Sequence, residues 1–318
     1  MKKILLLMLT LLPLAASAYD FEVDGLYYEK TGASEVAVVK GKKAYEGDVV
    51  IPGSIEVDGV AYAVTSIGDW AFASANIQSV ILPEGLQKIG FAAFGGSHIT
   101  EIVIPSTVTT IDDEAFNGCG YDKSLGFGQG LDKVSVAEGN PRFDSRNGCN
   151  AIIETATDKL VQGSNSAVIP EGVKEIGSMA FYRMLKMESI TFPAGIEEYG
   201  YNSFHSCWGL KDIYCLDETP VAATWMFGRP ALDGFDFDKV VLHVPTGCKE
   251  KYEALEAWNH FKNISEFDPH STPTGITSLA SEEACATYNI QGNKVTKSQS
   301  NRLPKGVYIQ NGKKFVIK

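Results

Sequence analysis

The chain has 318 residues, of which 44% are hydrophobic and 21% charged, and its formal net charge is −11. An acidic balance of this size argues against nucleic acid and anionic lipid as partners, because binding a polyanion requires clustered lysine and arginine. After residue 18, no stretch is apolar for long enough to cross a bilayer.

Residues 1–18 have the pattern of a secretory signal peptide. Lys2 and Lys3 form a positive n-region, residues 4–12 are apolar but too few to span a membrane, and residues 15–18 end in an A-x-A cleavage site. We therefore expect an exported protein that starts at Tyr19, and loss of the two lysines takes its formal charge from −11 to −13. No lipid-accepting cysteine lies near the cut. The alternative is a retained anchor helix.

Residues 19–64 read as short strands joined by tight turns. Two similar stretches, 22–28 and 56–62, place Asp24-Gly25 and Asp58-Gly59 between alternating apolar residues, which is a strong hairpin signal. A stack of repeats needs its first turn covered, since an open end exposes core and unpaired backbone. We predict that this segment is an N-terminal β cap.

A pattern with a fixed period begins at residue 65. Phe72, Phe94 and Phe116 follow one another at intervals of 22 residues, as do Pro83 and Pro105. Such a period predicts a solenoid, in which each unit is too small to bury its apolar face alone and stacks on its neighbours. We expect a strand before each proline and a large ring in the core at each phenylalanine.

The repeats extend to residue 267 and are interrupted at about residues 120–166. The pattern returns with Phe181 and Phe204. Residues 246–261 place Tyr252, Leu255 and Trp258 at helical spacing, which predicts a helix that caps the end of the ladder. Residues 268–283 are predicted to be a linker, and residues 284–318 a small β module.

The repeats resemble the BspA-type leucine-rich repeats, also called the Treponema pallidum type. One copy reads Ile104-Pro105-x-x-Val108-x-x-Ile111-x-x-x-Ala115-Phe116-x-x-Cys119. The resemblance implies a leucine-rich repeat ladder. Together with the N-terminal β cap, the C-terminal capping helix and the small C-terminal β module predicted from the residues, the expected fold is a β-rich α/β solenoid. The resemblance also implies a role in protein recognition, including adhesion to host proteins.

The tail has a second resemblance. Residues 288–295, 303–309 and 313–318 look like a type IX secretion sorting domain, and their pattern predicts three strands separated by turn residues. The alternative is a small β module that docks on the repeats.

The cysteines and histidines do not form a recognisable catalytic or metal motif. Cys119 and Cys207 each follow a repeat phenylalanine by three residues, where a small buried residue fits, so we expect most cysteines to be unpaired. His205 lies close to Cys207 in sequence but on a different side of the repeat.

Two loops are candidate ligand sites, and each has a simpler reading. Asp233, Asp236 and Asp238 could bind calcium, but a solvated acidic loop explains them better. The glycines at 126, 128 and 130 indicate a flexible loop rather than a phosphate cradle. The sequence therefore predicts a non-enzyme without catalytic residues, cofactors or metal ions.

The remaining candidate sites are exposed surfaces. The outward strand positions form a column that could bind an extended peptide or a glycan, and its members are Ile81, Val103, Ser135, Thr191 and Tyr214. A second candidate contact is aromatic and contains Trp208, Trp225 and Phe227.

The signal-peptide pattern predicts a cell-surface or secreted protein, and the resemblance to BspA-type repeats implies that it recognises a host, matrix or cell-surface protein. The alternatives are a glycan-binding protein and a structural component of a surface complex.

Overall fold

The computed structural model describes residues 19–228 and 235–269 and the backbone of four strands in the tail. The predicted signal peptide, Asp233 and nearly all of the predicted linker lie outside these residues. Nearly all the described elements are strands, and helix is confined to a few short turns.

Six strands precede the repeats. In chain order they are β1 (Phe21–Val23), β2 (Leu26–Lys30), β3 (Glu35–Val39), β4 (Glu46–Val50), β5 (Ser54–Val57) and β6 (Val60–Ile67). Hairpins β1–β2 and β5–β6 turn at Asp24-Gly25 and Asp58-Gly59, as the sequence predicts. Both residues of each turn have positive φ, which matches the right-handed twist of the flanking strands.

The repeats contribute sixteen further strands among the described residues. They are β7 (Asn76–Ile81), β8 (Lys88–Ile89), β9 (Glu101–Ile104), β10 (Thr110–Ile111), β11 (Tyr121–Asp122), β12 (Phe127–Gly128), β13 (Lys133–Val136), β14 (Phe143–Asp144), β15 (Ile152–Glu154), β16 (Lys159–Gln162), β17 (Glu175–Ile176), β18 (Ser189–Phe192), β19 (Glu198–Tyr199), β20 (Asp212–Cys215), β21 (Val241–Pro245) and β22 (Asn263–Phe267).

The parallel strands of the repeats form two sets. One set pairs as β4–β7, β9–β13 and β18–β20–β21–β22, and the other pairs as β6–β8–β10 and β16–β17–β19. The result is several short parallel sheets with no closed sheet among the described residues, so a continuous solenoid stays a prediction.

The segment around each core phenylalanine, here called the arch, joins the repeats in a different way. Its N–H groups alternate between two acceptors. Phe72 N–H donates to the carbonyl of Ala93 in the next repeat at 2.7 Å, whereas Ala73 N–H donates to Trp70 within its own turn at 3.1 Å. The residue two positions before each phenylalanine has positive φ; these residues are Trp70, Ala92, Glu114, Met179, Asn202 and Trp225.

The core phenylalanines stack in two files rather than in one. Phe94 lies 5.2 Å from Phe72 and 5.7 Å from Phe116, with nearly parallel rings. Phe181 and Phe204 stack at 4.5 Å in the second file. The two files belong to separate clusters of buried apolar residues. The interrupted segment lies between these clusters.

The C-terminal end of the ladder differs from the prediction. In place of a helix over residues 246–261, the chain has a short helix, α1 (Lys249–Glu253), and a 3₁₀ turn, Trp258–His260. The predicted capping helix is therefore not supported. Strand β22 follows and pairs in parallel with β21, so the ladder continues by one strand beyond the position predicted for the capping helix.

The tail forms a four-stranded antiparallel sheet, one strand more than the sequence predicts. Its strands are β23 (Thr287–Asn289), β24 (Lys294–Val295), β25 (Gly306–Gln310) and β26 (Lys313–Ile317), in the order β24-β23-β25-β26.

Candidate recognition surface

The outward face of the first strands carries a column of exposed aliphatic side chains. Val50, Ile81 and Val103 are 63%, 60% and 58% exposed. Val50 pairs with Ile81 in the β4–β7 register, and β9, which carries Val103, lies against β7. The next member in register with Val103 is the half-buried Ser135. Three predicted site residues, Ile81, Val103 and Ser135, thus lie on one face.

Polar side chains flank this column. Ser79 donates to the carboxylate of Asp48 at 2.6 Å across β4 and β7, and the exposed Glu101 lies opposite Lys133 in the β9–β13 register. An apolar strip with a charged border is the usual composition of a protein-binding surface, where a less polar centre is surrounded by a solvated rim.

The last strands place aromatic side chains on their outward face. Thr191, Tyr214 and His243 lie in register on β18, β20 and β21. The Tyr214 and His243 rings stack at 4.2 Å, and Phe267 meets Tyr214 edge-on at 5.8 Å. His243 Nε2 lies 2.8 Å from Asp212 Oδ1. Partial burial, followed by the charge of Asp212, raises the pKa of Tyr214.

His243 and Phe267 are the residues that the sequence analysis missed on this face. His243 occupies the outward position of strand 241–245 in register with Tyr214, so the strand pattern alone contained the signal for it. Phe267 could not be found in the same way, because β22 was not expected to join the sheet.

Trp225 does not join the strand-face residues. It lies in an arch, where its carbonyl accepts the N–H of Asn202 at 2.9 Å, and its side chain is half-exposed. Phe227 is buried against Phe204 and Phe235, so it cannot be a surface contact as the sequence analysis expected. Trp208 is half-exposed and contacts Phe127.

The thiols are poor candidates for chemistry. Cys207 is fully buried and donates to the Phe181 carbonyl at 2.9 Å, and burial raises its pKa to about 12. A catalytic cysteine needs the opposite, an accessible group with a lowered pKa.

The described part of the acidic loop contains an ion pair. Lys239 lies 2.6 Å from Asp236 and lowers the pKa of that carboxyl group. Within residues 19–228 and 235–269, no group of three or more histidine, cysteine or acidic side chains is arranged to hold a metal ion. In the same residues, no helix is long and apolar enough to cross a membrane.

Residues 56–137 and 159–271 match the model of the BspA type leucine rich repeat region, in six copies. The chain belongs to this family. The matched ranges contain both phenylalanine files and the parallel strand pairs named above except β4–β7, whose first strand precedes residue 56, so the BspA-type repeats account for most of the described fold. No curated protein matches the chain.

Solved structures similar to this BspA-type chain include leucine-rich repeat proteins from several bacteria. A leucine rich cell surface protein from Faecalibacterium prausnitzii is 13% identical, covering 79% of this chain and 95% of its own, with a TM-score of 0.36. A leucine-rich repeat protein from Eubacterium ventriosum is 17% identical, covering 69% and 77%, with a TM-score of 0.38. The T. pallidum leucine rich repeat protein is 15% identical, covering 77% and 80%, with a TM-score of 0.23.

Proposed function

We propose that this BspA-type repeat protein is an exported, non-enzymatic recognition protein that binds a protein partner through the outward face of its parallel strands. The partner is a host, matrix or cell-surface protein, and the biological role is adhesion. The observation that supports this most directly is the exposed column of Val50, Ile81 and Val103. A soluble protein has little reason to keep three aliphatic side chains aligned in water unless a partner covers them.

The column suits an extended segment or a flat protein surface. Parallel strands about 4.8 Å apart hold successive side chains at a spacing that a partner strand can match. The polar rim of Asp48, Ser79 and Glu101 would fix the register, while the aliphatic strip would supply most of the buried apolar area. Ser135, Thr191 and Tyr214 extend the proposed surface toward the C-terminal strands.

Export and continuous winding are part of the proposal. The pattern of residues 1–18 supports secretion by a signal peptide, and the sequence pattern of residues 288–318 is the basis for proposing a small β module that resembles a secretion sorting domain. The recurrence of parallel pairing between successive repeats supports a solenoid.

The test replaces aliphatic residues by glutamate on the proposed surface and elsewhere. We expect Ile81→Glu combined with Val103→Glu to weaken binding to immobilised fibronectin or fibrinogen at least tenfold, which corresponds to about 1.4 kcal/mol. The matched control is Val168→Glu, because Val168 is also more than half exposed but lies outside the strands. Biolayer interferometry measures both, with circular dichroism to verify folding.

Two results would contradict the proposal. One is equal binding by the double variant and the Val168→Glu control. The other is turnover of a peptide or glycoside substrate that a single substitution abolishes without unfolding the protein. Retention of fibronectin or fibrinogen binding by Trp225→Ala is expected, since Trp225 lies on an arch.

Glycan binding is the second candidate function. Half-exposed aromatic side chains on the arches, including Trp208 and Trp225, favour it. A flat ring in solvent can pack against the apolar face of a sugar.

A further inference from the structure

Arg183 has an unusual environment for a charged residue. It follows the core residue Phe181 by two positions in an arch, and its backbone N–H donates to the carbonyl of His205 at 3.0 Å. Its guanidinium carbon lies 5.2 Å from the centre of the Phe127 ring and 5.2 Å from that of Tyr182. Cation–π contacts with two rings fix the orientation of the group.

The charge of Arg183 is not matched by a carboxylate among the described residues. Arg142 and Arg146, the other two arginines there, form ion pairs with Glu154 and with Asp144 and Asp158. Arg183 Nε is buried without a hydrogen-bond partner, while the residue as a whole is half-buried. In a chain with 39 acidic and 28 basic side chains, an unpaired guanidinium stands out.

A half-exposed tryptophan contacts the phenylalanine ring that lies against this guanidinium. Trp208 is 49% exposed and meets the same Phe127 ring edge-on, with centroids 5.6 Å apart. Phe127 comes from hairpin β11–β12, whose carbonyl at Gln129 accepts the N–H of Leu185 at 3.3 Å. Tyr182 is braced in turn by His205, which stacks on it at 5.3 Å. The cluster of Arg183, Phe127, Tyr182, Trp208 and His205 is therefore assembled from three separate segments.

We propose that this cluster is a binding site for an acidic sugar. The carboxylate pairs end-on with the two terminal nitrogens of Arg183, a geometry in which guanidinium and carboxylate form two parallel hydrogen bonds. The pyranose ring lies on the exposed face of Trp208, whose negative π-face attracts the C–H groups of the sugar. Nε is shielded from water and two rings flank the guanidinium, so the local dielectric constant is lower than in bulk solvent. This strengthens the pairing of Arg183 with the carboxylate.

The overall charge of the protein limits the length of the ligand. A net charge of −11 repels long polyanions, so one carboxylate held by one arginine fits a short acidic oligosaccharide better than a sulfated polymer. This site gives the glycan alternative a position and a ligand class. It stands on different residues from the strand-face proposal, so either can fail without the other.

The experiment uses isothermal titration calorimetry of the full chain with trigalacturonate and, separately, with sialyllactose. Binding of either acid identifies the kind of acidic sugar. We expect full methyl esterification of trigalacturonate, or the substitution Arg183→Gln, to weaken binding at least tenfold, or about 1.4 kcal/mol. Trp208→Ala should weaken the binding of both the acid and the ester, because it removes the stacking surface and not the charge.

The matched control is Arg142→Gln, which removes the same charge from the ion pair with Glu154 and leaves the cluster intact. We expect it to change affinity by less than about twofold. The proposal is overturned if neither sugar binds at about 5 mM, or if Arg183→Gln and Arg142→Gln have equal effects. A peptide with a free C-terminal carboxylate that binds the cluster as tightly would overturn the assignment to sugars.

Discussion

The residues three positions after the core phenylalanines form one column of the structure, and all of them must fit a narrow space. It is occupied by residues that are small or can fit a narrow space: Ala75, Ser97, Cys119, Met184 and Cys207. The Cys119 thiol donates to the Phe94 carbonyl at 3.2 Å, and the Cys207 thiol to the Phe181 carbonyl at 2.9 Å. Each thiol thus bonds to the preceding repeat. The five described cysteines are free, as the sequence predicts for most of them.

We predict that these thiols do not react in the folded protein. Burial raises the pKa of Cys119 and of Cys207 from 9.0 to about 12, and that of Cys149 to about 11. In a Cys285→Ala variant every remaining thiol is a described one, and we expect none to react with Ellman's reagent at pH 8. Complete reaction should follow unfolding in urea. Rapid labelling of a native thiol would contradict this burial.

Because of the same pKa shifts, we expect the stability of the folded protein to decrease at alkaline pH. An unfolded thiol loses its proton near pH 9.0, whereas the folded Cys119 and Cys207 thiols keep theirs until about pH 12. The contribution of these thiols to the free energy of unfolding is therefore complete below pH 9.0 and declines as the pH rises toward about 12. The urea concentration at the midpoint of unfolding should therefore decrease when the pH is raised from 8 to 10.5. We expect a smaller fall in a variant that combines Cys119→Ala and Cys207→Ala, because two of the titrating groups are gone.

At the level of elements, hairpin β11–β12 shows why a glycine-rich stretch can be misread. The sequence analysis took the glycines at 126, 128 and 130 as a sign of flexibility. In the structure, a Cβ at Gly128 would overlap the carbonyl oxygen of Gly118, and one at Gly130 would overlap the Met184 sulfur. These contacts involve residues that are distant in sequence, so the local pattern could not reveal that the glycines serve close packing.

We predict that Gly128→Ala destabilises the protein far more than Gly126→Ala. Gly126 has a φ of 78° but open space around its Cα, so alanine there costs only the backbone strain, about 1 kcal/mol. At Gly128 the hairpin must move away from the arch, at a cost of roughly 3 kcal/mol or more. Urea unfolding measures both. Equal losses would mean that the hairpin is not packed against Gly118.

The capping helix is a prediction that tertiary contacts override. Tyr252, Leu255 and Trp258 have helical spacing, but the helical conformation ends with α1, and Ala257 has a φ of 72°. Trp258 Nε1 then donates to the Val221 carbonyl, and the Tyr252 hydroxyl to the Asp217 carbonyl, both at 2.8 Å. Two buried aromatic side chains with their polar atoms satisfied outweigh the weak helix propensity of a short segment.

At the scale of the whole molecule, the period of 22 residues predicts the regular repeats but not the division of the hydrophobic core into two clusters. Prolines and phenylalanines mark where the strands and arches fall, because every repeat buries the same positions. The interrupted segment has no such period. Its Asn140 side chain donates to the carbonyls of Pro105 and Val108 and accepts the N–H groups of Arg142 and Phe143. Nothing local announces contacts of this kind, so the separation into two cores was not predicted.

The separation is made by one strand with two apolar faces. Ile152 and Ile153 are consecutive in β15, and both are fully buried. Because successive side chains of a strand point to opposite faces, they enter different cores. Ile152 packs in the cluster of Phe72, Phe94 and Phe116, and Ile153 in that of Phe181 and Phe204. Strand β15 therefore separates two blocks of repeats.

We predict that substitutions at these neighbours act on opposite halves of the protein. Ile152→Ala and Ile153→Ala should each cost about 2–5 kcal/mol, because each leaves a cavity in a well-packed core. In a repeat protein, such a loss weakens the block in contact more than a distant one. Hydrogen exchange measured by mass spectrometry should show faster exchange in residues 65–116 for Ile152→Ala, and in residues 169–228 for Ile153→Ala. If both variants speed exchange of the same amides, the two cores unfold as one unit, and β15 does not divide them.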